Sequence, residues 1–214
     1  PEIAEALRRL YAPGGARAFD YTFWGETVFA RPFTVETRAS AAPARKALDD
    51  RLFRVDAGNP DVDVIEHAML TMLEGGLVAA PTDTVYCLAA DATNGAAVER
   101  LHRLRGGAAR ALAVFVDNQK MLSRLVSRIP PKIEEVMEEF WPGPLTIIFS
   151  KPAGALAGVS AAPTIGVRIP DHNTILALIS MIARPLATVS AKTEEGQPIT
   201  EMDAMIQRFG ESLD

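Results

Sequence analysis

A single cysteine leaves no partner for an internal disulfide, so a reducing cytoplasm is the expected compartment. His67, His102 and His172 show no HExxH spacing and have no cysteine companion, and no metal site is expected from them. A basic surplus is also missing: 22 Lys and Arg stand against 27 Asp and Glu, for a net charge of −5. That balance argues against a broad surface tracking a nucleic-acid backbone, which needs clustered cations. Only weak, local RNA contact is left to the densest patch, Arg100, Arg103, Arg105 and Arg110, which also reads as a solvated helix end. No apolar run approaches the roughly 20 residues that cross a bilayer, and the first residues lack the apolar segment of a secretory signal. Starting on Pro1 rather than Met reads as a processed chain or an excerpt. Finally, there is no GxGxxG after a strand, no GxxxxGK[ST] loop and no GxSxG elbow.

What is present is regular. Residues 1–55 read as an N-terminal extension of a short helix, a hairpin-like strand pair and a Pro/Gly-rich linker. From there to residue 214 the pattern is that of one α/β domain. Val64, Ile65, Ala68, Met69, Met72 and Leu73 recur at helical spacing before the stop Gly75-Gly76. Strands are then expected over 77–81, 84–92, 111–116, 145–150, 164–170 and 186–190. Helices are expected over 94–105, 118–126, 130–140, 172–183 and 200–209. The fold class is α/β, a sheet with helices packed on it.

Within that pattern, polar residues mark where strands end. Thr82, Asp83 and Thr84 follow "LVAAP", Thr188 and Ser190 close "LATVS", and Arg168 interrupts the apolar "TIGVRIP". Ligands of open α/β sheets gather at such ends. A guanidinium buried in a strand needs an anion, either a protein acid such as Asp83 or the carboxylate of a ligand. Cys87, with no neighbouring cation in sequence, reads as a small buried filler.

The stretches "GGLVAAPTDTVYCLAADATN", "WPGPLTIIF", "TIGVRIPDH" and "PLATVSA" together resemble the YrdC-like family of threonylcarbamoyl-adenylate synthases, in the family's order and spacing. The resemblance implies a twisted mixed sheet flanked by helices, with a large concave cavity. It implies condensation of L-threonine, bicarbonate and ATP, carried with Mg²⁺, into threonylcarbamoyl-AMP and pyrophosphate. A downstream partner complex then modifies tRNA, and the class is associated with double-stranded RNA binding. By the same resemblance Thr84, Arg168 and Thr188 bind threonine, Arg168 pairing with its carboxylate. Arg105, Thr164, Ser190 and Lys192 lie on the nucleotide side, and no catalytic side chain or protein-held metal is assigned. A reaction of this kind asks mainly for reactants held in line and for phosphate charge to be neutralised.

The sequence also departs from the family. Its Lys-x-Arg reads Arg105-Gly106-Gly107 here, its Ser-Ala-Asn reads Ser190-Ala191-Lys192, its Tyr-Gly reads Tyr86-Cys87, and a further strand with a Ser-Thr loop is expected beyond Asp214. Losing one phosphate-binding cation, worth about 1.5–3 kcal/mol, weakens nucleotide handling roughly 10- to 100-fold. Three readings follow: a synthase, an impaired nucleotide- or RNA-binding module, or one part of a larger carbamoyltransferase.

Overall fold

The computed structural model describes residues 18–23, 26–31, 51–107 and 111–214. The chain divides into two compact units, Pro1–Leu52 and Phe53–Asp214. In the first, the alternating aromatic stretch forms an antiparallel pair, β1 (Ala18–Phe23) and β2 (Glu26–Arg31), with Ala18 opposite Arg31 and Phe23 opposite Glu26. The short helix and the linker expected beside it lie outside the described residues, as does Arg110.

The second unit opens with α1 (Val62–Leu73), whose first turn is capped by the Asp61 side chain accepting from the Asp63 amide. It closes at Gly75, where φ is +87° and the amides of Gly75 and Gly76 return to the Met72 and Thr71 carbonyls. That left-handed step is why glycine stands there. Then follow β3 (Val78–Ala80), β4 (Cys87–Asp91), α2 (Gly95–Leu104), β5 (Ala113–Phe115), α3 (Gln119–Ser123) and α4 (Pro131–Phe140). The chain ends with β6 (Ile147–Ser150), β7 (Thr164–Arg168), α5 (Asn173–Ile182), β8 (Leu186–Ser190) and α6 (Met202–Phe209).

These strands make one six-stranded sheet in the order β3-β4-β8-β5-β7-β6. It is mixed: β5 and β7 run parallel, and every other neighbouring pair is antiparallel. Register assigns each side chain to a face, because residues alternate along a strand and paired residues share a side. Leu88, Ala187, Val114, Val167 and Phe149 fall on one face and belong to a single buried cluster with Leu101 of α2, Met137 of α4 and Phe209 of α6. Burying each large apolar side chain there contributes about 1.5–3 kcal/mol.

The opposite face is different in kind. Its central row reads Ala89, Thr188, Ala113, Gly166 and Ile148. Helix α1 packs on α5 and lies against β3 and β4, burying Ile65, Met69 and Met72 outside the first cluster. At the far edge, Ile148 of β6 is 71% exposed and Gly166 only half-buried. One half of this face is therefore roofed, and the β7–β6 half is more open, with Gly166 in its central row.

Most elements are shorter than their sequence pattern suggests, β5 spanning three of the six residues expected, and in two cases the cause is visible. The strand expected from 84 begins at Cys87, because the Thr82 hydroxyl takes the amides of Thr84 and Val85 and donates to the Val85 carbonyl, folding those residues into a turn. The helix expected through 126 stops at Ser123, where the amides of Arg124 and Leu125 reach back only three residues.

Candidate functional site

The local chemistry begins with Arg168, the last residue of β7, on the half-open face. Its Nε donates to the Gly143 carbonyl at 2.8 Å, Nη1 to Thr84 Oγ1 at 3.3 Å and Nη2 to Asp83 Oδ1 at 2.5 Å. The guanidinium lies 5.5 Å from the ring centre of Phe115, its register partner on β5. The Arg168 and Asp83 side chains are 8% and 14% exposed, so this ion pair is poorly screened by water.

Each partner is placed by its own segment. Gly143 sits in the "WPGP" turn, and its amide donates to the Ile169 carbonyl, so one residue grips the end of β7 from both sides. No larger residue fits, because a Cβ there would stand 2.5 Å from the Phe140 carbonyl oxygen. Thr84 belongs to the turn pinned by Thr82. Its hydroxyl lies 3.0 Å from that of Thr82, and its oxygen accepts from Arg168. The hydroxyl expected to touch a ligand is thus held in a fixed orientation.

An anion for Arg168 was expected from the sequence, and the structure supplies it internally as Asp83. No incoming carboxylate is therefore needed to neutralise this charge. A guanidinium carries five N–H donors. Three are engaged in the bonds above, which leaves one each on Nη1 and Nη2.

The other expected residues collect toward the other end of the sheet, Thr164 and Ser190 on this same face and Arg105 on a helix that packs against the opposite one. Thr164 opens β7, Ser190 closes β8, and exposed Lys192 follows in an isolated bridge to Pro198. Arg105, at the end of α2, donates through Nη1 to the Ala111 carbonyl, two residues before β5. Strands β5 and β7 start, and β8 ends, on one side of the sheet, so these four lie toward that end. Arg168 lies four residues along β7 from Thr164, about 13 Å away. Thr188 sits between the two ends but is buried, with its hydroxyl donating to the Ala113 carbonyl at 3.3 Å. Thr164 is at a strand start, and Arg168 is at the opposite end of the sheet from Ser190. A shared face unites Thr164, Thr188, Ser190 and Arg168, with residues 81–86 folding back over it.

The basic patch is largely spent within the chain. Arg100 pairs with Asp214 at 2.5 Å, Arg103 lies 3.6 Å from Glu99, and Arg105 is tied to Ala111. Cys87 is buried, and burial pushes its thiol up to about 12, so it is inert at neutral pH. The histidines do not meet: His102 Nε2 is 2.8 Å from the Gly158 carbonyl, and the His67 ring lies tilted against Phe53, with centroids 4.9 Å apart. His172, at the start of α5, has its pKa lowered first by burial, while the nearby carboxylates of Asp83 and Asp171 pull the other way. Among the described residues no group of three or more His, Cys, Asp or Glu is placed to hold a metal, and no helix is long and apolar enough to cross a membrane.

Sequence reasoning named Arg168, Thr84 and Asp83 but missed Gly143, Phe115 and His172. The glycine had a signal, a Pro-Gly-Pro breaker before a strand, but not one that discloses a carbonyl aimed at an arginine.

Residues 71–214 match the Sua5/YciO/YrdC family, described as telomere recombination. The chain is 38% identical over 130 residues to the threonylcarbamoyl-AMP synthase of Pyrococcus abyssi, covering 58% of this chain and 37% of that one. It is 33% identical over 163 residues to the Rattus norvegicus threonylcarbamoyl-AMP synthase, covering 70% and 57%. In structure it is similar to P. abyssi Sua5 complexed with L-threonine, with a TM-score of 0.69 and 31% identity over 73% of this chain and 46% of that one. The chain thus spans between about a third and three fifths of the length of these relatives.

Proposed function

The chain belongs to the Sua5/YciO/YrdC family, and from that premise we propose that it is a threonylcarbamoyl-AMP synthase domain acting on L-threonine, bicarbonate and ATP. The observation that carries the reading is the contact between Arg168 and Thr84. Both residues were singled out as amino-acid-binding, and the fold brings them from 84 positions apart to 3.3 Å. The similarity to relatives named for this activity, one solved with L-threonine, supports the same assignment.

In this reading threonine lies at the Arg168 end, its carboxylate on the two remaining N–H groups and its hydroxyl toward Thr84. ATP lies toward Thr164, Ser190 and Lys192, with Arg105 behind them. Mg²⁺ travels on the nucleotide phosphates and supplies charge neutralisation there. The residues between the ends hold the two reactants in line along the sheet, which is the main acceleration such a condensation needs. The work is done in the cytoplasm, and a separate tRNA-modifying complex consumes the product.

The altered cationic clamp bears on rate. Gly106 and Gly107 have φ of +91° and +120°, conformations that favour glycine, so the segment after Arg105 follows a path that the family's second cation would strain. This favours a slower enzyme with weak nucleotide affinity, and at its limit the impaired module. Purified chain given threonine, bicarbonate and Mg·ATP is expected to release pyrophosphate in proportion to threonine, and Arg168→Ala to abolish that release. A pyrophosphate signal that stays flat from micromolar to millimolar threonine rejects the proposal.

A further inference from the structure

Asp83 is left without a role by the scheme above, although it is the shortest contact Arg168 makes. Its Oδ1 accepts from Nη2 at 2.5 Å, and Oδ2 has no partner among the described residues. Beside it, Nη1 and Nη2 each keep one N–H. An unfilled anionic acceptor and unfilled cationic donors therefore lie side by side. That is the complement of a zwitterion whose ammonium and carboxylate are separated by one carbon.

We propose that Asp83 is the selectivity residue of this pocket, holding the ammonium of an α-amino acid on Oδ2 while Arg168 holds its carboxylate. The proposal rests on the reading of this end as the amino-acid site and extends it to what the site refuses. An unpaired guanidinium at 8% exposure would attract any small anion, including the phosphates expected about 13 Å away on the same face. Paired with Asp83, it is nearly neutral from a distance and rewards only a ligand bearing both charges. Specificity of this kind comes as much from penalising wrong ligands as from fitting the right one. His172 adds no rival cation, since burial holds its pKa below the ordinary value. Thr84 and the Gly143 carbonyl keep the guanidinium in place without Asp83, so the carboxylate can be altered while the arginine stays anchored.

The test is calorimetric titration of the full chain with L-threonine, with 2,3-dihydroxybutanoate, which lacks the ammonium, and with threoninol, which lacks the carboxylate. The wild type is expected to bind threonine at least about tenfold more tightly than either analogue. Asp83→Asn is expected to weaken threonine about tenfold or more and, at the same time, to strengthen 2,3-dihydroxybutanoate and inorganic phosphate. That inversion is one that a merely structural role would not produce. Asp83→Ser gives a second reading if the asparagine variant fails to fold, and Asp83→Glu should restore the order of preference. Equal weakening of every ligand, or no change for threonine, overturns the role of Asp83 while leaving the threonine site standing. If the wild type ignores threonine but shows the same pattern with another α-amino acid, the substrate assignment fails and Asp83 keeps its role. Absence of binding by any amino acid overturns both.

Discussion

At the scale of single residues, the second unit handles buried charge in contrasting ways. Arg168 and Asp83 neutralise one another, whereas Asp117, just past β5, has no cationic partner among the described residues and relies on neutral donors. Ser180 Oγ donates to its Oδ2 at 2.8 Å and Asn118 Nδ2 to its Oδ1 at 2.7 Å. Burial outweighs those bonds and raises the carboxyl pKa above its ordinary value. A group whose pKa is raised by folding stabilises the fold while protonated. Its contribution is complete below the unfolded value, and it is lost as pH climbs through the folded value. Asp117→Asn, neutral at every pH, is therefore expected to match the wild type in acid and to exceed it in melting temperature as pH rises past the ordinary carboxylate range. The Asn side chain keeps one acceptor, and the Ser180 hydroxyl can turn to accept from the new amide. Melts of the two proteins from acid to neutral pH check this, and a constant difference across the series would show that charge is not the cause.

At the scale of elements, the "WPGP" turn bears most directly on the site, since Gly143 holds Ile169 with its amide and Arg168 with its carbonyl. Gly143→Ala puts a Cβ against the Phe140 carbonyl, so the turn must shift. The expected cost is on the order of 2 kcal/mol, visible in a urea melt, with loss of threonine affinity because Arg168 moves with it. Unchanged stability would mean the turn is looser than its contacts imply. The elements themselves were legible in the sequence because β-branched runs and helical spacing are local signals. "LATVS" became β8 as read, and the Gly75-Gly76 stop fell where expected. Their order was not legible. Strand β8 inserts between β4 and β5, far from both in sequence, and period-two alternation identifies a strand's faces without naming its neighbours. The site was legible to the same depth. A lone arginine among apolar residues declared that it needed an acid, and Asp83 was one of two answers. Choosing between them required the turn at Thr82, which turns an apparent strand into a loop that folds back over the sheet.

At the scale of the whole unit, the two sheet faces divide the labour. One is filled by a continuous apolar cluster, and the other is roofed at β3–β4 and open toward β6. If the open half is a channel joining amino acid to nucleotide, its midpoint is Gly166, in the row with Ala113 and Thr188 and lying between Thr164 and Arg168. Its φ is not in the left-handed region, so glycine is there for space rather than for backbone freedom. An added Cβ would meet Thr146 Cγ2 at 3.2 Å, a side-chain contact that can yield by a few tenths of an ångström. Gly166→Val is thus expected to fold and to bind threonine at the Arg168 end within a few-fold of the wild type. It should also lose threonine-dependent pyrophosphate release by on the order of 100-fold, because the two reactants can no longer close on one another across the floor. Titration with threonine alone, set beside the pyrophosphate assay, separates these effects. Were both lost together, Arg168 and Thr164 would not mark two ends of one site. Were neither lost, the reaction would take place away from this face.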